Sequence, residues 1–165
     1  MLALSLVMIT ALSGQAPAAP ALTHLPARVF VFTGEASSTT SAEDRQGRLD
    51  SVRDLEDVLG GRKKYVTLVH SAEEADVTLE VVNREERDVS QGGFGGASMT
   101  KFSERILRAR LKAGEKTSDL KGVAQGSWKL AAKDLGERVT KWIGNLFDEA
   151  VQKKTAARFS PLATP

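Results

Sequence analysis

The stretch ARVFVFTG, residues 27–34, places four consecutive β-branched or aromatic residues directly before a threonine and a glycine. In an extended segment, such a run puts apolar side chains on both faces. This pattern is typical of a strand in the interior of a sheet that is covered on both sides, at least in part. We therefore predict an interior strand here and build the rest of the domain around it.

A helix and a second strand follow this segment. Apolar residues at helical spacing predict a helix from about Ala42 to Leu59, which ends at Gly60 and Gly61. Its apolar stripe consists of Leu49, Val52, Leu55 and Leu59. The segment KKYVTLV, residues 63–69, predicts the next strand. A strand, a helix and a strand of these lengths indicate a βαβ unit with parallel strands.

The remaining chain predicts further strands and a long helix. Residues 77–81 and 107–112 alternate between apolar and polar, and LKGVAQG, residues 120–126, is a weaker strand candidate. A helix capped by Ser127 is predicted to run to about Gln152. Its apolar stripe consists of Trp128, Ala132, Leu135, Val139, Trp142 and Leu146. Gly136 and Gly144 inside this helix indicate points of close backbone approach.

The predicted element order is β-α-β-β-β-(β)-α, and the predicted fold class is α+β, a two-layer α/β sandwich. Both helices are expected to pack on one face of a mixed sheet, which leaves the face of Arg108 and Arg110 more open. The length and composition fit one domain, which we assign to residues 27–152. Residues 153–165 are predicted to be a disordered tail.

The amino terminus predicts export. Residues 1–13 carry no charge, are too short to span a bilayer as a helix, and are followed by small residues. We predict a signal peptide over residues 1–18, cleaved after Ala18, and a flexible lead over residues 19–26. No Lys or Arg precedes the apolar run, so an apolar helix of the folded domain is the alternative. The expected location is the periplasm or the extracellular space.

Composition excludes several classes of site. The chain has no cysteine, which excludes disulfides, thiolate metal sites, cysteine nucleophiles and lipid attachment at a signal-peptide cysteine. Residues 22–100 carry 9 Lys/Arg and 14 Asp/Glu, whereas residues 101–165 carry 14 and 7. The basic residues are interleaved with acidic ones, so a solvated surface is favoured over a nucleic-acid site.

The glycine-rich stretch SQGGFGGASM, residues 90–99, has the composition of a phosphate-binding loop but not its spacing. Thr100 precedes Lys101, and a strand follows instead of a helix, so a nucleotide-binding loop is not predicted. The charged flanks indicate two antiparallel arms with a mobile hairpin tip between them. A slack connection is favoured over a partner-contacting loop, in which Phe94 and Met99 would be the apolar contact residues.

Catalytic and metal-binding patterns are incomplete. Ser98 lies in a near match to a nucleophile motif, but no strand-to-helix elbow is predicted there. His70 is followed by Glu73, Glu74 and Asp76 in HSAEEAD, residues 70–76. These side chains could serve a hydrolase or a weak metal site, but a capped polar turn is the favoured interpretation. We predict no catalytic residue, no cofactor and no metal.

Trp128 and Trp142 have two interpretations. Tryptophans can form stacking platforms for bases or sugars. Both lie on the apolar stripe of the last helix, which favours a place in the core.

The element order resembles small periplasmic α/β modules of outer-membrane-associated assemblies, such as the amino-terminal domain of TolB and the periplasmic domain of CsgG. The resemblance rests on RVFVFTG, LEDVLGG, ADVTLEVV and WKLAAKDLGERVTKWI and covers most of residues 27–152. It implies an interaction module and transfers no functional residue.

The sequence therefore predicts a non-enzymatic, exported interaction module that binds an envelope protein. The candidate contact residues are Phe94, Met99, Arg108 and Arg110. A hydrolase or a small-ligand or metal-binding protein that uses His70 and the neighbouring acidic residues is the alternative. A third hypothesis is contact with anionic lipid or polysaccharide through Arg108, Arg110 and Lys112.

Overall fold

The computed structural model describes residues 22–34, 41–91 and 100–159. The elements are β1 (Ala27–Thr33), α1 (Ala42–Gly60), β2 (Val66–Leu68), β3 (Val77–Gln91), β4 (Thr100–Ala113), β5 (Lys116–Gln125) and α2 (Trp128–Phe159). The predicted α+β class and element order are confirmed, and the weak strand candidate is the ten-residue β5.

The five strands form one mixed sheet in the order β2-β1-β3-β4-β5. β1 pairs in parallel with β2 and β3, as the βαβ prediction requires. β3, β4 and β5 are antiparallel neighbours. The turn between β4 and β5 is two residues long and begins with Gly114, whose φ of 60° suits glycine.

Both helices pack on one face of this sheet. The buried side chains of β1 alternate, with Val29 and Val31 facing the helices. Val77, Leu79 and Val81 of β3 follow the same alternation. From the helices, Leu55, Leu59, Leu135, Val139 and Ile143 complete this core and are fully buried. The lead residue Leu22 also belongs to it, with 5% of its surface exposed.

Two positions of the predicted apolar stripes lie outside the core. Leu49 is 48% exposed, whereas Ser51, which lies outside the predicted stripe, is buried. Leu49 lies about 120° around the helix from Leu55, so both cannot face the sheet. Trp128 is only partly buried and lies outside the core cluster, whereas Trp142 packs against that cluster. The core prediction is therefore wrong for Leu49 and Trp128.

Glycines allow α2 to approach its neighbours closely. A Cβ atom at Gly136 would lie 2.5 Å from Val58 Cγ1 of α1. A Cβ atom at Gly122 of β5 would overlap the carbonyl oxygen of Ala131 and lie 2.7 Å from the backbone nitrogen of Leu135. At Gly144, the nearest atom would be Tyr65 Cε1 at 4.0 Å, an ordinary contact. Close approach is thus found at Gly136 and not at Gly144.

The β3 and β4 arms extend beyond the other strands. They pair from Thr78↔Lys112 to Gln91↔Thr100, whereas β1 reaches only Val81 and β5 only Glu104. The two antiparallel arms predicted around the glycine-rich stretch are therefore present. Phe94 and Met99 lie outside the described residues. α2 continues past Gln152 to Phe159.

Substitution of the two α2 glycines distinguishes the effect of close packing on stability from the effect of helix propensity. Gly136→Ala should lower the free energy of unfolding by about 1–3 kcal/mol, because the new methyl group overlaps Val58. Gly144→Ala should raise it by up to about 1 kcal/mol, because alanine favours the helix and meets no crowded neighbour. Urea denaturation measures both. Changes of the same sign and size in the two variants would contradict the packing described here.

Candidate functional site

The sheet face opposite the helices carries two of the predicted contact residues. In register across the sheet, Phe32 of β1 pairs with Glu80, Glu80 with Arg110, and Arg110 with Asp119. Directly paired residues point to the same side of a sheet. We call this side, which carries Phe30, Phe32, Glu80, Arg108, Arg110 and Asp119, the helix-free face. Among the described residues, no helix packs on it.

An aromatic pair lies on the helix-free face. The rings of Phe30 and Phe32 stack with their centroids 5.4 Å apart and their planes at 6°. Both side chains are partly buried and partly exposed. The apolar side chains that the sequence placed on both faces of β1 are therefore fully covered on the helix side only. The two rings give the helix-free face an apolar patch.

The arginines of this face are paired with acidic side chains. Arg108 Nη2 lies 3.2 Å from Glu85 Oε2, and Arg110 Nε lies 2.9 Å from Asp119 Oδ1. Glu80 stands opposite Arg110 in the register, but the hydrogen bond goes to Asp119. All of these groups are partly or largely exposed, so each pair contributes little to stability. The pairs reduce the positive charge available to a polyanion.

A cleft of about 710 Å³ lies on the helix side of the sheet, between the first half of α1, the middle of β3 and Trp128. Trp128 and Arg84 are among the residues that line it. The guanidinium carbon of Arg84 lies 4.0 Å from the ring centroid, and that of Arg105 lies 5.5 Å away. Both are cation–π distances.

A glycine of α1 makes room for the Arg84 side chain. A Cβ atom at Gly47 would lie 2.5 Å from Arg84 Nη1. One turn later, the hydroxyl of buried Ser51 donates a hydrogen bond of 3.1 Å to the Gly47 carbonyl. Arg84 is therefore held between α1 and the indole of Trp128.

The charges around Arg84 shift the pKa of its guanidinium in both directions. Burial lowers the pKa of the Arg84 guanidinium below that of an ordinary arginine, and the neighbouring Arg105 lowers it further. The carboxylates of Asp50, Asp54 and Glu86 oppose this shift. Arg84 remains charged at any physiological pH, because an arginine guanidinium loses its proton only in strongly alkaline solution.

Asp76, a member of the candidate His70 site, is bound elsewhere. Its carboxylate accepts hydrogen bonds from the backbone nitrogen of Arg28 at 2.8 Å, from Nε at 3.2 Å and from Nη2 at 2.8 Å. The side chain is 10% exposed, and His24 Nε2 lies 3.9 Å away. Asp76 thus anchors the start of β3 to β1. In the described part of the chain, no three His, Asp or Glu side chains are grouped to hold a metal.

The sequence located some of these residues and missed others. Arg108 and Arg110 lie on the more open face, as predicted. Phe30 and Phe32 were recognised as strand residues but not as an exposed pair. The cleft was missed because Gly47, Arg84 and Trp128 are far apart in the chain. The only local signal was Trp128 at the first position of a helix, where fewer neighbouring turns can cover it.

The chain has weak structural similarity to solved bacterial proteins. A minor lipoprotein from Acinetobacter baumannii matches with 12% identity and a TM-score of 0.41, over 73% of this chain and 94% of that one. A neuraminyllactose-binding hemagglutinin homologue from Helicobacter pylori matches with 11% identity and a TM-score of 0.43, over 82% and 92%. Rare lipoprotein B from Shewanella oneidensis matches with 8% identity and a TM-score of 0.37, over 79% and 96%.

At these identities and TM-scores, the matches assign no function to this chain. They do not specifically support the resemblance to the TolB and CsgG modules. No protein-family model matches the chain, and no curated protein matches it. Neither described helix has the length and apolar composition of a membrane span.

The Arg28–Asp76 contact predicts a pH dependence. Burial raises the pKa of Asp76, but the hydrogen bonds and charge of Arg28 outweigh it and leave the pKa below its ordinary value. The stabilisation is then present above the unfolded-state pKa of about 3.9 and is lost as the pH falls through the lower folded-state pKa. Asp76→Asn should cost about 1–3 kcal/mol at pH 7.

Urea denaturation between pH 7 and pH 2 measures this dependence. The difference between wild type and Asp76→Asn should be constant above about pH 5 and should shrink below about pH 4. Asp119→Asn, which removes an exposed ion pair, serves as the control and should show a much smaller difference. A difference for Asp76→Asn that is independent of pH would refute the charge-based explanation.

The Arg84–Trp128 stack predicts energetic coupling between β3 and α2. In a double-mutant cycle of Arg84→Gln and Trp128→Leu, the coupling free energy should be about 0.5–2 kcal/mol. Thermal and urea unfolding of the four proteins measure it. Additive effects of the two substitutions would show that the stack does not stabilise the fold.

Proposed function

We propose that this protein is an exported, non-enzymatic module that binds another protein of the bacterial cell envelope through its helix-free face. The observation that carries the proposal is the stacked, partly exposed pair of Phe30 and Phe32 on a sheet face without a helix layer in the described structure. The uncharged amino-terminal run supports export, because it suits a secretory signal.

The chemistry of the helix-free face suits a protein partner. Protein interfaces commonly combine aromatic residues and arginine in the centre with polar groups at the rim. Here the Phe30–Phe32 pair shares a face with Arg108 and Arg110, each already oriented by a carboxylate. Pre-oriented charged side chains lose less conformational entropy when a partner binds. The ion pairs make a polyanionic lipid or polysaccharide a poorer fit.

Site-specific photo-crosslinking in the producing organism tests this proposal. A photoreactive amino acid at position 32 should yield an adduct of defined mass that contains an envelope protein. The same amino acid at Lys133, an exposed position of α2, should not yield it. Phe30→Ser and Arg110→Ala should reduce the adduct at position 32, because they remove apolar area and an arginine from the same face.

The comparison of position 32 with position 133 decides the result. If positions 32 and 133 give the same adducts, or if position 32 gives none, the helix-free face is not the binding surface. A purified variant with Phe30→Ser must retain the wild-type circular dichroism spectrum, so that a lost adduct reports binding and not unfolding.

A further inference from the structure

The guanidinium of Arg84 lines the cleft, and its N–H groups make no hydrogen bond with the described residues. Among the described residues, no carboxylate lies within 4.0 Å of the Arg84 guanidinium and none accepts a hydrogen bond from it. The neighbouring Arg105 has a buried Nε without a partner, and its Nη2 is 3.6 Å from Glu86 Oε1. A partly buried guanidinium with unfilled donors favours binding of an oxyanion.

The position of Arg84 is fixed before any ligand arrives. Trp128 supports one side of the guanidinium at 4.0 Å, and the backbone of Gly47 lies against Nη1. This arrangement restricts the side chain, so that little rotational freedom remains to be lost on binding. The planar N–H groups of arginine match the geometry of a carboxylate or a phosphate.

The rest of the cleft carries a net negative charge. Its lining includes the carboxylates of Glu43, Asp44, Asp50 and Glu86, against Arg48 and Arg84. Asp44 and Asp50 each accept a hydrogen bond from a neighbouring polar side chain, from Ser41 and Gln46 respectively. A simple anion would meet these carboxylates, and a simple cation would meet Arg84. A ligand with one charge of each sign satisfies both groups.

We propose that this cleft binds a small zwitterion, an amino acid or a short peptide with both termini free. Its carboxylate pairs with Arg84 beside Trp128, and its ammonium group lies among the carboxylates of α1. The volume of about 710 Å³ is within the range of pockets for small molecules. Arg84 pairs with the buried Leu107 in the register, so its side chain is on the helix side of the sheet, opposite Arg108 and Arg110.

Fluorescence titration with trialanine tests the proposal. In a Trp142→Phe background, Trp128 is the only tryptophan and reports on the cleft directly. Trialanine should change its emission saturably. Trialanine amide and N-acetyl-trialanine, which each lack one charge, should bind at least about tenfold more weakly. Arg84→Gln should weaken binding by a similar factor, and Arg108→Gln on the helix-free face should leave it unchanged.

The peptide series decides the outcome even if Arg84→Gln fails to fold, because it uses the unmutated cleft. The absence of a saturable change with trialanine would overturn the proposal. Equal binding of trialanine and its amide would overturn it too, as would unchanged binding by a folded Arg84→Gln variant.

Discussion

The close approach of α2 to β5 and α1 is the constraint on which the rest of the structure depends. Gly122 lets the backbone of α2 lie directly on β5, and Gly136 lets Val58 of α1 contact the same helix. Both helices are thereby held on one side of the sheet, over the buried side chains of the central strands. The opposite side then receives no helix in the described structure, which leaves Phe30 and Phe32 partly exposed.

Periodicity made most of the fold predictable. The alternation at residues 77–81 and the stripe of α2 depend on neighbours in the sequence, and the structure retains both elements. The prediction of the core failed at Leu49, because the sequence does not fix which side of α1 faces the sheet. Ser51 lies about 40° around the helix from Leu55 and Leu49 about 120°, and packing against the sheet buries Ser51. The pattern of residue types does not determine which side of α1 faces the sheet, since that side depends on how the helix packs.

The cleft could not be predicted for a different reason. In the sequence, Trp128 continues the apolar stripe of α2. However, it lies in the first turn of α2, and that turn extends beyond the elements that cover the middle of the helix. Arg84 and Arg105 reach the partly buried indole from two neighbouring strands, after the register of β3 and β4 shifts between Val81 and Asn83. Such a site arises from long-range register, which no local motif encodes.

The extension of β3 and β4 beyond their neighbours also has a consequence for local stability. The outer pairs, such as Val89↔Phe102, belong to a two-stranded ribbon and not to the five-stranded sheet. Two-stranded ribbons are only marginally stable in water. The ribbon can therefore open as a separate cooperative unit while the core remains folded, so its amide hydrogens should exchange with solvent well before those of the inner strands. Changes in length at its tip consequently carry little cost to the domain.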